Sequence, residues 1–175
     1  MLTKPWNHLA MAHYIRFSST GASIFFTVAL AQPGSTLLCD EIDRLRRAVA
    51  RTRLERPFGI DAWVVLPDHM HCIWTMPSHD GDFSTRWRLI KARFSRGLPA
   101  DPLRASHLAR GERGIWQRRF WEHHIRNDQD FHDHLRFCWH DPVKHGLVTS
   151  PAAWPFSSVH RDITSRRYDW ADGSA

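Results

Sequence analysis

Leu66-Pro67-Asp68-His69-Met70-His71-Cys72-Ile73-Trp74-Thr75-Met76-Pro77 is the stretch around which the 175-residue chain is organised. Read as a strand, it puts His69, His71, Ile73 and Thr75 on one face and Met70, Cys72, Trp74 and Met76 on the other, because side chains alternate with period two. The second face is a core. The first is a candidate metal site, since two imidazoles two residues apart on a stiff strand converge on one point above the sheet. A solvated surface strand can carry the same His-x-His pair, so its neighbours have to decide between the two.

Upstream, residues 60–66 form a second strand, and Pro67-Asp68 is a turn signal that joins the two as a hairpin. Earlier still, residues 23–30 are dense in β-branched and aromatic side chains and predict a central strand ending before Pro33-Gly34. Ser35 or Thr36 then caps a helix with apolar positions Leu38, Ile42, Leu45 and Val49, whose Arg44, Arg46, Arg47, Arg51 and Arg53 form a solvated face. Downstream, after a polar loop at 78–82, Phe83, Trp87, Ile90 and Phe94 recur at helical spacing. The outer side of that helix is basic: Arg86, Arg88, Lys91, Arg93 and Arg96.

Residues 97–113 carry Gly and Pro breakers and predict a surface loop. In residues 114–126 arginines interleave with aromatics. That pattern suits single-stranded nucleic acid, with bases stacked on rings and guanidinium groups on phosphates, and equally suits an edge strand with buried aromatics. Asn127 or Asp128 caps a further helix running to about His140, where Pro142 ends it. Phe131, Leu135 and Cys138 are its buried stripe, and Asp130, His134, Phe137 and Asp141 share another face. Trp154 and Phe156 are expected to pack back onto the domain. The division is therefore an irregular arm at 1–22, one domain at 23–160 and a tail at 161–175.

Twenty-four Lys and Arg against eighteen Asp and Glu give a net charge of +6. Residues 83–126 hold eleven basic and three acidic side chains, a local +8, which favours a polyanionic partner. Cys39, Cys72 and Cys138 show no Cys-x-x-Cys spacing, which argues against a disulfide framework or a zinc knuckle and suits a reducing cytoplasm. No apolar run approaches the ~20 residues of a membrane span.

Four stretches together resemble one family: Phe25-Phe26-Thr27-Val28; Val64-Val65-Leu66-Pro67-Asp68-His69-Met70-His71-Cys72-Ile73-Trp74; the basic helix from Arg86-Trp87-Arg88 to Phe94-Ser95-Arg96; and Gly114-Ile115-Trp116-Gln117-Arg118-Arg119-Phe120-Trp121-Glu122-His123 with Asp141-Pro142-Val143-Lys144-His145-Gly146-Leu147. In order and spacing, from about Tyr14 to His160, they resemble the REP-associated tyrosine transposases, whose hallmark is a His-hydrophobic-His pair. The resemblance implies an α+β, ferredoxin-like or RRM-like single domain with an antiparallel sheet and helices packed on it. It implies binding and cleavage of single-stranded DNA beside hairpins formed by repetitive extragenic palindromes (REP), by a monomer or a homodimer. In that chemistry His69 and His71 hold Mg²⁺ or Mn²⁺, and a helix tyrosine attacks phosphorus, leaving a 5′-phosphotyrosyl link and a free 3′-OH.

The DNA-binding residues expected from the basic and aromatic surface are Arg86, Arg88, Lys91, Arg93, Arg96, Trp116, Arg118, Arg119 and Lys144. Two departures stand out. The nucleophile position falls on Phe137, which has no hydroxyl, and the chain's two tyrosines, Tyr14 and Tyr168, lie elsewhere. Three explanations are open: a Tyr-to-Phe knock-out, a lineage that kept binding and lost cleavage, or a substitute nucleophile such as Tyr14 or a metal-activated water. Blocked strand transfer is the favoured one. Secondly, Asp141 stands where the family usually has Asn; one helical turn after 137, it is a candidate third metal ligand. The alternative function is a non-catalytic REP-hairpin binder. A hydrolytic zinc enzyme is weaker, since Cys72 points away from the His pair.

Overall fold

The structure is a computed structural model that describes residues 21–99 and 114–165. The expected arm, apart from its last two residues, most of the 97–113 loop and the end of the tail lie outside the described residues. Four strands, β1 (Ser23–Ala29), β2 (Gly59–Val65), β3 (His69–Thr75) and β4 (Trp121–His124), form one antiparallel sheet in the order β2-β3-β1-β4. This is the ferredoxin-like α+β arrangement. The hairpin between β2 and β3 closes at Pro67-Asp68, where the Leu66 amide donates to the His69 carbonyl (2.8 Å).

β1 is central, and its run of consecutive apolar residues exists because both of its faces are covered. On one face, Ile24, Phe26 and Val28 join Met70, Cys72 and Trp74 beneath α2 (Ile42–Glu55) and α3 (Phe83–Ser95). The Trp74 and Trp87 rings stack there at 4.2 Å. On the other face, Phe25, Ala62, Val64 and Ile73 pack against Leu135, Cys138 and Trp139 of α4 (Asp128–Lys144) and Val159 of α5 (Val159–Thr164). His69 and His71 belong to this second face. Trp154 packs back as expected, its Nε1 donating to the Val65 carbonyl (2.9 Å), and the helix that follows runs across residue 160 to Thr164.

The helix expected after Pro33-Gly34 is split at Glu41 into α1 (Leu37–Asp40) and α2. Thr36 does not cap it through its side chain but donates to the Asp40 carboxylate (2.7 Å), and Ser35 Oγ accepts from the Leu37 amide (3.3 Å). Asn127 does cap α4, its Oδ1 accepting from the Asp130 amide (2.9 Å). Contrary to expectation, Pro142 lies inside α4, which ends only at Lys144. A proline removes one backbone donor, and in a last turn that loss is small. The end is closed by Gly146 at φ +67°, whose amide donates to the Val143 carbonyl (2.9 Å), while Leu147 donates to that of Pro142 (2.9 Å).

Arg86 corrects the list of DNA-contacting residues. It is fully buried. Its guanidinium donates to the carbonyls of Arg56, Asp82 and Pro57 and to the Asp80 carboxylate (3.3, 3.0, 2.9 and 3.0 Å), tying the start of α3 to the end of α2. Four of its five N–H groups are spent on protein acceptors, and complete burial keeps the guanidinium away from any phosphate. Trp116 also turns inward: its Nε1 donates to Ser95 Oγ (3.0 Å) and its ring meets Phe94. Arg86→Ala is expected to cost about 3–5 kcal/mol in urea unfolding, because it strands these acceptors, whereas Arg88→Ala at an exposed position should change the midpoint little.

Candidate functional site: a metal centre on one face of the sheet

β3 presents His69 and His71 as neighbours on the α4 face, with ring centroids 5.2 Å apart. Each ring is held from behind. His69 Nδ1 lies 2.6 Å from Asp68 Oδ1, and His71 Nδ1 lies 2.8 Å from Thr27 Oγ1 on β1. With Nδ1 donating in each case, the neutral rings turn their Nε2 lone pairs forward, the tautomer that a metal ligand needs. Phe25 stacks on the His71 ring (5.5 Å, 12°) and fixes its plane.

Opposite them, α4 supplies Asp141. Its Oδ2 lies 3.2 Å from His71 Nε2, 3.5 Å from His69 Nε2 and 3.8 Å from His145 Nε2. Asp141 and His71 are only 4% and 2% exposed, yet Asp141 Oδ2 forms no hydrogen bond. An unsatisfied buried carboxylate oxygen is costly, and lone pairs converging on one point repel unless a cation lies among them. Ligands bonded at about 2.0–2.3 Å to one ion sit roughly 3–3.7 Å apart; the Asp141 distances to His71 and His69 fall in that range and the one to His145 lies just beyond it, while His69, Asp141 and His145 are the trio whose ligand atoms all lie within 4.8 Å of one another. The residues therefore fit a divalent cation.

Without an ion, a proton on an imidazole Nε2 takes its place beside the carboxylate. Burial pushes the Asp141 carboxyl up, but the imidazoles of His69, His71 and His145 outweigh it and hold it well below the usual carboxylate range. His71 is pushed down, chiefly by burial, and stays neutral near pH 7. Burial also works against charge on His69, but the carboxylates of Asp141 and Asp68 raise it above 6.5.

The sequence pattern did not single out His145, which falls beyond the helix end expected at Pro142. Because α4 continues through Pro142, positions 141 and 145 are one helical turn apart on the same side. That spacing was the available signal, hidden by taking the proline as a helix end. Phe137, one turn before Asp141, lies beside the His pair, its ring 5.0 Å from that of His71 and edge-on to it. Lys144 Nζ sits 4.5 Å from the Phe137 ring centroid.

The basic helix is not part of this site. α3 packs on the opposite face of the sheet, where Lys91 Nζ donates to the Gln117 carbonyl (2.9 Å) and Arg93 binds Thr52 Oγ1 (2.7 Å) and Glu55. Arg88 and Arg96 are exposed there, and Arg118 and Arg119 are exposed ahead of β4. Among the described residues no helix is long and apolar enough to cross a membrane.

No family model matches the chain. A REP-associated tyrosine transposase of Escherichia coli is 46% identical over 163 residues, which cover 92% of each chain. A Haemophilus influenzae protein carrying the same family name is 38% identical over 164 residues, or 91% of this chain and 93% of that one. A solved structure of a REP-associated tyrosine transposase bound to a REP hairpin superposes with a TM-score of 0.80 at 44% identity, covering 94% of this chain and 92% of the other. With its paired histidines on a ferredoxin-like sheet and this degree of identity over nearly its whole length, the chain belongs to the REP-associated tyrosine transposases.

Proposed function

We propose that this chain binds single-stranded DNA beside REP-type hairpins, holds a Mg²⁺ or Mn²⁺ ion at His69, His71 and Asp141 with His145 close by, and is blocked in strand transfer because Phe137 occupies the nucleophile position. The observation that carries this reading is a buried, unsatisfied Asp141 oxygen within 3.5 Å of the Nε2 atoms of both His69 and His71, with ligand atoms of His69, Asp141 and His145 all within 4.8 Å of one another and the Phe137 ring against that of His71. A divalent cation at that point supplies a Lewis acid that draws charge from a phosphate.

The chain's own residues supply the rest. Thr27 and Asp68 orient the two imidazoles. Lys144, set over ring 137, is placed to lower the pKa of a phenol carried there and to favour its attacking phenolate. Phenylalanine has neither the oxygen nor the proton, so the site retains its charge stabilisation and lacks its nucleophile. Arg88, Arg96, Arg118, Arg119 and Lys144 are the exposed cations proposed to hold backbone phosphates, with Lys91 and Arg93 tied mainly to protein partners. A binder without cleavage is the outcome of this arrangement.

Phe137→Tyr is expected to form a covalent adduct with a labelled hairpin oligonucleotide in the presence of Mn²⁺, seen on a denaturing gel, while the unaltered chain forms none. Adduct by neither protein removes position 137 from the mechanism, and adduct by both shows that another nucleophile acts.

Mn²⁺ at about 100 times its Kd should stabilise the fold by about 2.7 kcal/mol, a rise in Tm of roughly 5–10 °C, and the rise should vanish in Asp141→Ala. The pH dependence has opposite signs with and without metal. Without metal, the raised His69 pKa adds stability that is complete below pH 6.5 and is lost as pH rises through the folded value. With metal, the proton on His69 competes with the ion, so Mn²⁺ affinity should fall as pH drops through that same value. Titrations of Tm against pH, with and without Mn²⁺, would show both.

A further inference from the structure

Trp121 is the one tryptophan among the large exposed hydrophobic residues of the described chain; it keeps 40% of its surface, whereas Trp74, Trp87 and Trp139 are at most 4% exposed. It stands at the start of β4, the edge strand beside β1. Its backbone partner across that edge is Thr27, and the partner of Thr27 on the other side is His71. Trp121, Thr27 and His71 are therefore one row of side chains on one face of the sheet. Two strand spacings separate the ends of that row, about 10 Å. Thr27 is also the residue whose hydroxyl holds His71 Nδ1.

The ring is fixed rather than loose. It lies parallel to His123 (5.9 Å, 5°), which lies parallel to His134 (4.6 Å, 16°), and Phe25 meets Trp121 in a T-shaped contact (5.8 Å, 72°). The Asp130 carboxylate clamps this column, binding His123 Nε2 (2.9 Å) and lying 3.1 Å from His134 Nδ1. His123, Asp130 and His134 could be taken for a second metal site, their ligand atoms lying within 4.8 Å of one another, but His134 Nδ1 donates to the Asp130 backbone carbonyl (2.8 Å) and so offers an ion no lone pair there. The Asp130 oxygens already accept from His123 and from the Arg126 amide and Nε. The cluster acts as the footing of a stack that ends in Trp121, whose ring keeps 40% of its surface exposed.

We infer that this exposed ring is a stacking platform for one unpaired base adjoining the phosphate at the His69–His71 site, which makes Trp121 a positioning residue for the single-stranded flank. The inference rests on the DNA reading above. A patch one indole wide, with exposed Arg119 two residues before it, matches a single base on a charged strand and is too small for an apolar protein interface. Stacking reads no base edge, so the contact tolerates any base while fixing how far the strand advances past the site. Nearly parallel rings and the clamp at Asp130 mean that the platform exists before DNA arrives.

The test uses the full chain and a hairpin oligonucleotide that it selects from a library with randomised stem and unpaired flanks. 2-Aminopurine is then placed at each flank position in turn. The unaltered protein should quench the probe at one flank position; Trp121→Phe should keep the quench and Trp121→Ala should lose it. Affinity for the flanked hairpin, measured by anisotropy, should fall by about five-fold or more in Trp121→Ala, while affinity for the same stem without flanks stays unchanged. Equal affinity and equal quenching in the alanine variant would overturn the stacking assignment and leave the DNA reading standing. Failure to retain any hairpin from the library would remove the DNA reading and this inference with it. If Trp121→Ala does not fold, the probe scan on the unaltered chain still decides, because no quenched flank position means no platform.

Discussion

A carboxylate kept almost dry among imidazoles is the constraint on which the arrangement turns. Asp141 comes from α4 and His69 and His71 from β3, and nothing local in the chain obliges them to meet. What brings them together is apolar: Leu135, Cys138 and Trp139 of α4 bury against Phe25, Ala62, Val64 and Ile73. Burial of these side chains overcomes the cost of desolvating the polar cluster beside them. The polar cluster in turn accounts for the unusual protonation, because a carboxylate stays ionised there only while positive charge or a cation is close by.

The sheet divides the labour between its faces. One face carries α2 and α3, the stacked Trp74 and Trp87 and the inward-turned Arg86, and is the larger core. The other is only partly covered, so a strip between α4 and the β4 edge can present His69, His71, Thr27 and Trp121 together. Aromatic rings make this strip stiff. Phe25 touches His71, Trp121, His134 and Phe137, so one candidate metal ligand, the edge tryptophan and two positions of α4 share one packing neighbour. A substitution at Phe25 would therefore disturb all of them at once.

Phe137 fits this strip as an aromatic packing residue. Its edge-on contacts with His71 and Phe25 need no hydroxyl, so replacing a phenol by a phenyl ring leaves the packing intact. That explains how the chain can keep this architecture with phenylalanine at position 137, the position proposed above for the nucleophile. Lys144 over the ring retains a favourable cation–π contact as well.

Much of this was legible in the residues themselves. Period-two alternation around His69 and His71 predicted the site face, the spacing of Phe83, Trp87, Ile90 and Phe94 predicted α3, and Asp141 at one turn from Phe137 predicted a shared side, because these patterns follow from local backbone geometry. The basic side of α3 misled: charge in a sequence shows composition, not direction, and Arg86 spends its donors on carbonyls brought close only by folding. His145 was hidden by a proline rule that holds in helix interiors and relaxes in a last turn closed by Gly146. Local periodicity thus determined the elements and the faces of the strands and helices. Tertiary packing alone decided which face of the sheet each helix covers, that Asp141 reaches the His pair, and that Trp121 rather than Trp116 is the ring left open, because those outcomes depend on contacts between residues far apart in the chain.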